Sequence, residues 1–71
     1  WMESEFPRRL RRLRERAQMD RKKLGECCGL SKCAISRYER GKRVPDINTA
    51  IQLADFFNVT LDYLCGHEKN F

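Results

Sequence analysis

Residues 29–45 read GLSKCAISRYERGKRVP, and this run sets Lys32, Arg37, Arg40, Lys42 and Arg43 beside Cys33 and Ser36. Guanidinium and ammonium groups at this density bind oxyanions, and Ser and Cys add short hydrogen-bonding side chains among them. The basic charge is regional. Residues 8–43 hold 14 Lys/Arg against 4 Asp/Glu, net +10, while residues 1–7 carry −2 and residues 44–71 carry −3. The whole-chain charge of +5 therefore understates the basicity of one part of the molecule. A concentrated basic block favours a polyanionic partner, nucleic acid or an anionic membrane surface, over a merely solvated face.

The four cysteines, Cys27, Cys28, Cys33 and Cys65, are the other residues with chemistry of their own. Their spacing fits neither a disulfide framework nor a metal site. Adjacent Cys27 and Cys28 project about 100° apart on a helix, and zinc sites pair their ligands as C-x2-4-C. No second pair exists, and His67 is the lone histidine, near the C-terminal end. No metal and no cofactor is expected, and the thiols read as free cysteines in a reducing cytoplasm. There is no carboxylate pair, nucleophile–base set or phosphate loop, so the chain does not read as an enzyme.

These residues must be positioned by a small framework. At 71 residues and 41% hydrophobic content the chain is one globular domain near the lower size limit for a single core. No apolar run approaches the roughly 18 residues of a membrane span. Residues 1–7, WMESEFP, carry acids and no apolar stretch and are not expected to act as a signal peptide; Trp1 is given no role.

Phe6, Leu10, Leu13 and Ala17 recur at helical spacing and predict a first helix over about 7–17, with Pro7 in its first turn. Asp20 caps a second helix, 21–28, which turns Leu24 and Cys28 inward and stops at Gly29. Ser31 caps a third, 32–40, with Ile35 and Tyr38 inward and Gly41 as its end. Asp46 caps a fourth, whose apolar set is Ile47, Ala50, Ile51, Ala54 and Phe57, with Asn58 as a stop. Thr60 caps a short fifth containing Leu61, Leu64 and Cys65, before Gly66. No segment alternates with a period of two, so the fold is all-α with five helices. Residues 1–6 read as an N-terminal extension, 7–66 as the domain, and 67–71, HEKNF, as a frayed tail.

Two short helices joined at Gly29 make a helix-turn-helix unit. Gly25 supplies a nearly absent side chain where they cross, and Gly29 a left-handed turn. Leu24, Leu30, Ile35 and Tyr38 close the wedge between them. With these features in place, LGECCGLSKCAISRYERGKRVPDINTAIQLADFFNVTLDYLCG resembles the Cro/repressor-type helix-turn-helix family, the lambda-repressor-like or XRE domains. The likeness runs from Phe6 to Gly66 and is strongest over GLSKCAISRYERGKRVPDINTAIQLAD.

The resemblance implies a five-helix DNA-binding domain, usually a homodimer on a palindromic operator, that represses or switches transcription. It implies base readers at Lys32, Cys33, Ser36 and Arg37. Arg37 and Lys32 can reach guanine O6/N7, while Cys33 is expected only to touch a thymine methyl or line the groove. It implies phosphate contacts from Arg21, Ser31, Arg40, Lys42, Arg43 and Asn48, helped by backbone amides of the 40–43 loop. The family usually has Gln where Arg21 stands and Ala where Gly25 stands. Arg21 is expected to keep the phosphate contact without the amide network. Arg8, Arg9 and Arg12 stand either near phosphates or in solvent. Arg14 and Glu39 are implied to pair as a structural ion pair, and Phe56, Val59, Leu61 and Tyr63 to supply a dimer interface.

A thiol at Cys33, at a helix start beside Lys32, also has the setting of a redox sensor; an ordinary exposed thiol is the plainer reading. The leading expectation is a bacterial or phage repressor in the cytoplasm, contacting double-stranded DNA and no membrane. The alternative is an antitoxin-like or other protein-interaction module that binds DNA only with a partner. The chain is expected either to be regulated by concentration and partners alone or to be a fragment of a longer regulator.

Overall fold

The computed structural model describes residues 5–66; the expected extension (apart from Glu5 and Phe6), the role-less Trp1, His67 and the rest of the tail lie outside the described residues. Five helices follow in order: α1 (Phe6–Arg16), α2 (Arg21–Cys28), α3 (Lys32–Glu39), α4 (Ile47–Phe56) and α5 (Leu61–Cys65). No strand occurs among the described residues.

Local chemistry starts four of the helices. The side chains of Asp20, Ser31, Asp46 and Thr60 accept the backbone N–H of Lys23, Ala34, Thr49 and Tyr63 at 2.7, 3.0, 2.8 and 3.0 Å. Each bond satisfies one of the donors that a helix leaves unpaired in its first turn. Gly29 ends α2 at φ 68°, in the left-handed region, and Asn58 turns the chain after α4 at φ 56°.

The core is Phe6, Leu10, Leu13, Leu24, Cys28, Ile35, Tyr38, Ala50, Leu53, Ala54, Leu64 and Cys65. The Phe6 ring meets Tyr38 edge-on, centroids 6.0 Å apart, joining α1 to α3. Helix α2 packs on α3, α1 on α3 and α5, and α4 on α5 and α2.

Two expectations about the core are corrected. Ala17 is exposed, because α1 ends at Arg16 and Ala17 serves only as its C-cap. On α4 the inward stripe is rotated: Ala50, Leu53 and Ala54 are buried, Phe57 is half-buried, and Ile47 and Ile51 are 54% and 42% exposed. Leu53, absent from the expected set, takes the central position because α2 and α5 close on that side of α4. Two end shifts are smaller: α1 begins at Phe6, not Pro7, and α3 stops at Glu39, leaving Arg40 as its C-cap.

Candidate nucleic-acid interface

Helix α3 divides cleanly between two faces. Ile35 and Tyr38 are buried, while Lys32, Cys33 and Arg37 are exposed and Ser36 is half-buried. The i, i+1, i+4 and i+5 spacing of Lys32, Cys33, Ser36 and Arg37 puts them together on one outward strip of about two turns. Ser31 sits at its head, with its hydroxyl oxygen already accepting Ala34 N–H.

Arg40, Lys42 and Arg43 follow in an exposed loop. The amides of Arg40, Gly41 and Lys42 donate to the carbonyls of Ser36, Tyr38 and Arg37, closing the end of α3. Those three N–H groups are thus spent inside the domain, which leaves the expected help from backbone amides of the 40–43 loop without these three donors. Asn48 is exposed in the first turn of α4.

Behind the strip lies an ion cluster. The Glu39 side chain is 1% exposed; its Oε2 accepts Arg14 Nε at 2.6 Å and its Oε1 accepts Arg14 Nη2 at 3.1 Å. Arg14 Nη1 donates to the Met19 carbonyl at 2.8 Å. The hydrogen bond to Glu39 raises the Arg14 pKa from its already high ordinary value, so this guanidinium stays charged. Arg21 Nε donates to the same Glu39 Oε1 at 3.1 Å. Sequence reasoning missed this third member, since residues 18 apart on different helices leave no periodic signal. Arg14, Asp20, Arg21, Lys22 and Lys32 line a cleft of about 270 Å³ between α2 and the start of α3.

The helix 1 arginines part company. Arg8 pairs with Glu5 at 2.6 Å, and Arg12 is exposed with no hydrogen bond or ion pair among the described residues. Arg9 is half-buried, its guanidinium 4.4 Å from the Tyr63 ring centroid and donating to the Tyr63 carbonyl. It therefore ties α1 to α5 and is not simply solvated.

Of the four residues offered as a dimer surface, Phe56 is 41% exposed, while Val59, Leu61 and Tyr63 are half-buried against the core. Ile47 and Ile51, one turn apart on α4, are exposed, as is Val44 in the loop before it. Gln52, unremarked in the sequence, donates its amide to the Cys28 carbonyl at 2.6 Å and so secures the end of α2 beside the turn. Among the described residues no group of His, Cys, Asp and Glu is placed to hold a metal ion, and no helix is long and apolar enough to cross a membrane.

Comparison with known proteins adds a family. A family model described as helix-turn-helix matches residues 10–64. The chain is 31% identical over 65 residues to the uncharacterized HTH-type transcriptional regulator YqaE of Bacillus subtilis, covering 92% of this chain and 56% of that protein. It is 34% identical over 62 residues to the HTH-type transcriptional regulator ImmR of the same organism, covering 87% and 49%. With the HTH-type transcriptional activator BcrR of Enterococcus faecalis it shares 34% over 65 residues, covering 92% and 32%. The chain thus spans about half the length, or less, of these curated relatives. No solved structure matches it at a significant level.

Proposed function

The chain belongs to the helix-turn-helix family of XRE type, and on that premise we propose that it is a sequence-specific double-stranded DNA-binding module of a bacterial or phage transcriptional regulator, a repressor acting in the cytoplasm. The observation that carries the reading is the two-faced α3. Ile35 and Tyr38 lock it to the core while Lys32, Cys33, Ser36 and Arg37 stand outward together.

In this reading α3 enters the major groove. Arg37 and Lys32 donate to guanine O6/N7, each good bidentate contact giving about 1–3 kcal/mol of discrimination. Ser36 adds a hydroxyl, and Cys33 touches a thymine methyl or lines the groove. Arg40, Lys42 and Arg43, with Arg21, Ser31 and Asn48, hold phosphates and fix the register.

Two copies on a palindrome would set their α3 helices about 34–36 Å apart, one turn of DNA. Phe56 offers the exposed contact for that homodimer, with Val59, Leu61 and Tyr63 behind it. Repression follows if the occupied site overlaps that of polymerase. One of the relatives, BcrR, is named as an activator, so the sign of regulation depends on where the operator lies. Binding is non-catalytic in this account.

Selection of bound sites from random duplex DNA tests it. A palindromic consensus with half-sites about 10 bp apart is the expected result. Roughly six to ten phosphate contacts would also cost about 10³–10⁵ in affinity between 50 and 200 mM salt. Failure to enrich any consensus would overturn sequence-specific reading and favour a module that needs a protein partner.

A further inference from the structure

Glu39 holds one negative charge between two guanidinium groups, and the two are used unequally. Arg14 commits all three of its nitrogens, Nε and Nη2 to Glu39 and Nη1 to the Met19 carbonyl, and its side chain is 11% exposed. Arg21 commits only Nε, to Glu39 Oε1, and its side chain is 35% exposed. Four N–H donors on Arg21 Nη1 and Nη2 therefore have no partner among the described residues. The three-residue cluster carries a surplus of one positive charge, and that surplus sits on the more exposed arginine.

Its surroundings are suited to an oxyanion. Arg21 lines the cleft with Lys22, Lys32 and Arg14; the one acid there, Asp20, has its Oδ1 engaged with the Lys23 amide. A guanidinium is a rigid planar fork, so fixing Nε fixes the direction of both Nη groups. We propose that Glu39 is a positioning residue for DNA binding. By holding Arg21 Nε it aims the Arg21 Nη groups at one backbone phosphate seated in the cleft between α2 and the head of α3.

The inference rests on the DNA-binding reading and adds to it. Arg21 acts as a preset two-donor clamp, where a lysine would supply only charge. The buried Glu39, which never touches DNA, thereby contributes to affinity as well as to folding.

Arg21→Lys is the deciding variant, because it keeps the charge and loses the fork. A lysine ammonium can face Glu39 or the phosphate but cannot hold both in the guanidinium geometry. On a duplex carrying the selected site, Arg21→Lys is expected to bind about tenfold more weakly than wild type, the loss of one charge-assisted hydrogen bond. Its salt slope should stay unchanged, since the number of phosphates neutralised is unchanged. Arg21→Gln should bind weakly as well, with the slope smaller by about one contact.

Glu39→Gln, if folded, should weaken wild type but leave Arg21→Lys little further affected, because the two act through one contact. A merely structural Arg21 would lower the thermal midpoint and leave the affinity of the folded protein alone. Arg21→Lys matching wild type on the duplex would overturn the proposal while leaving the DNA-binding reading intact. Wild type failing to bind any duplex would overturn both.

Discussion

Gly25 and Leu30 approach so closely that a β-carbon on Gly25 would stand 2.5 Å from the Leu30 carbonyl oxygen. The Leu30 amide also donates to the Gly25 carbonyl at 2.8 Å, so the turn is stitched to α2 at this residue. Helix propensity alone favours Gly25→Ala by about 1 kcal/mol. The obstacle, however, is backbone, which cannot rotate aside, and overpacking of this kind costs about 1–3 kcal/mol. Gly25→Ala should therefore lower stability by about 1 kcal/mol net, a drop of several degrees in the thermal midpoint of a domain this small. A midpoint at or above wild type would show that the turn moves away freely.

The same residue shows what the sequence makes legible. A small residue at position 25, a glycine at 29 and a serine cap at 31 are local signals, and each is read from one or two neighbours along the chain. The four helix caps belong to this class, and all form as the residue types require. The inward face of α4 does not. Ile47, Ala50, Ile51, Ala54 and Phe57 make as good a helical stripe as Ala50, Leu53, Ala54 and Phe57. Only the packing of α4 on α2 and α5 selects the second, leaving Ile47 and Ile51 outside. In the candidate site, the outward strip of α3 follows from local periodicity once Ile35 and Tyr38 are assigned inward. The Arg21–Glu39 bond and the Gln52–Cys28 bond join distant segments through polar side chains, which carry no periodic signature.

Glu39→Ala should be among the most damaging single substitutions. It leaves the Arg14 side chain, 11% exposed, without its carboxylate partner beneath α3. Breaking a buried pair in this way costs about 3–5 kcal/mol, a large share of what a small domain has. Circular dichroism melts should show a domain largely unfolded or melting far below wild type. An unchanged midpoint would mean that water replaces the carboxylate at little cost.

Arg37 and Lys42 should separate reading from gripping. Arg37 stands on the outward strip of α3, whereas Lys42 lies in the exposed loop beyond it. Arg37→Ala is expected to flatten preference at one base pair of the selected site, by about 1–3 kcal/mol. Lys42→Ala should weaken operator and random duplexes alike and reduce the salt slope by about 1. Equal losses on operator and random DNA for Arg37→Ala would contradict the assignment of this face.

The cysteines divide in the same way. Cys27 and Cys33 are exposed, while Cys28 and Cys65 are buried and their thiols are pushed up chiefly by that burial. Since the thiolate is the reacting form, alkylation of the native protein should label Cys27 and Cys33 quickly and spare the other two. Bound operator should protect Cys33, which shares the strip with Lys32 and Arg37, and leave Cys27 reactive. Mass mapping of the labelled peptides reads both outcomes. Cys33 alkylated at the same rate with and without DNA would remove it from the groove.

Asp46 gives the fold an acid-sensitive cap at the head of α4. The Thr49 backbone N–H, then its hydroxyl and the nearby Arg43, hold the Asp46 carboxyl below the usual carboxylate range. A depressed folded-state pKa means that the stabilisation is fully present above the unfolded value of about 3.9 and is lost as pH falls through the folded one. Asparagine caps a helix about as well as aspartate but has no proton to gain. Wild type should therefore melt slightly above Asp46→Asn at neutral pH, and the gap should close as the pH drops below about 4. Thermal midpoints measured across that range give the answer directly. A gap that stayed constant with pH would place the benefit of Asp46 in its shape and not in its charge.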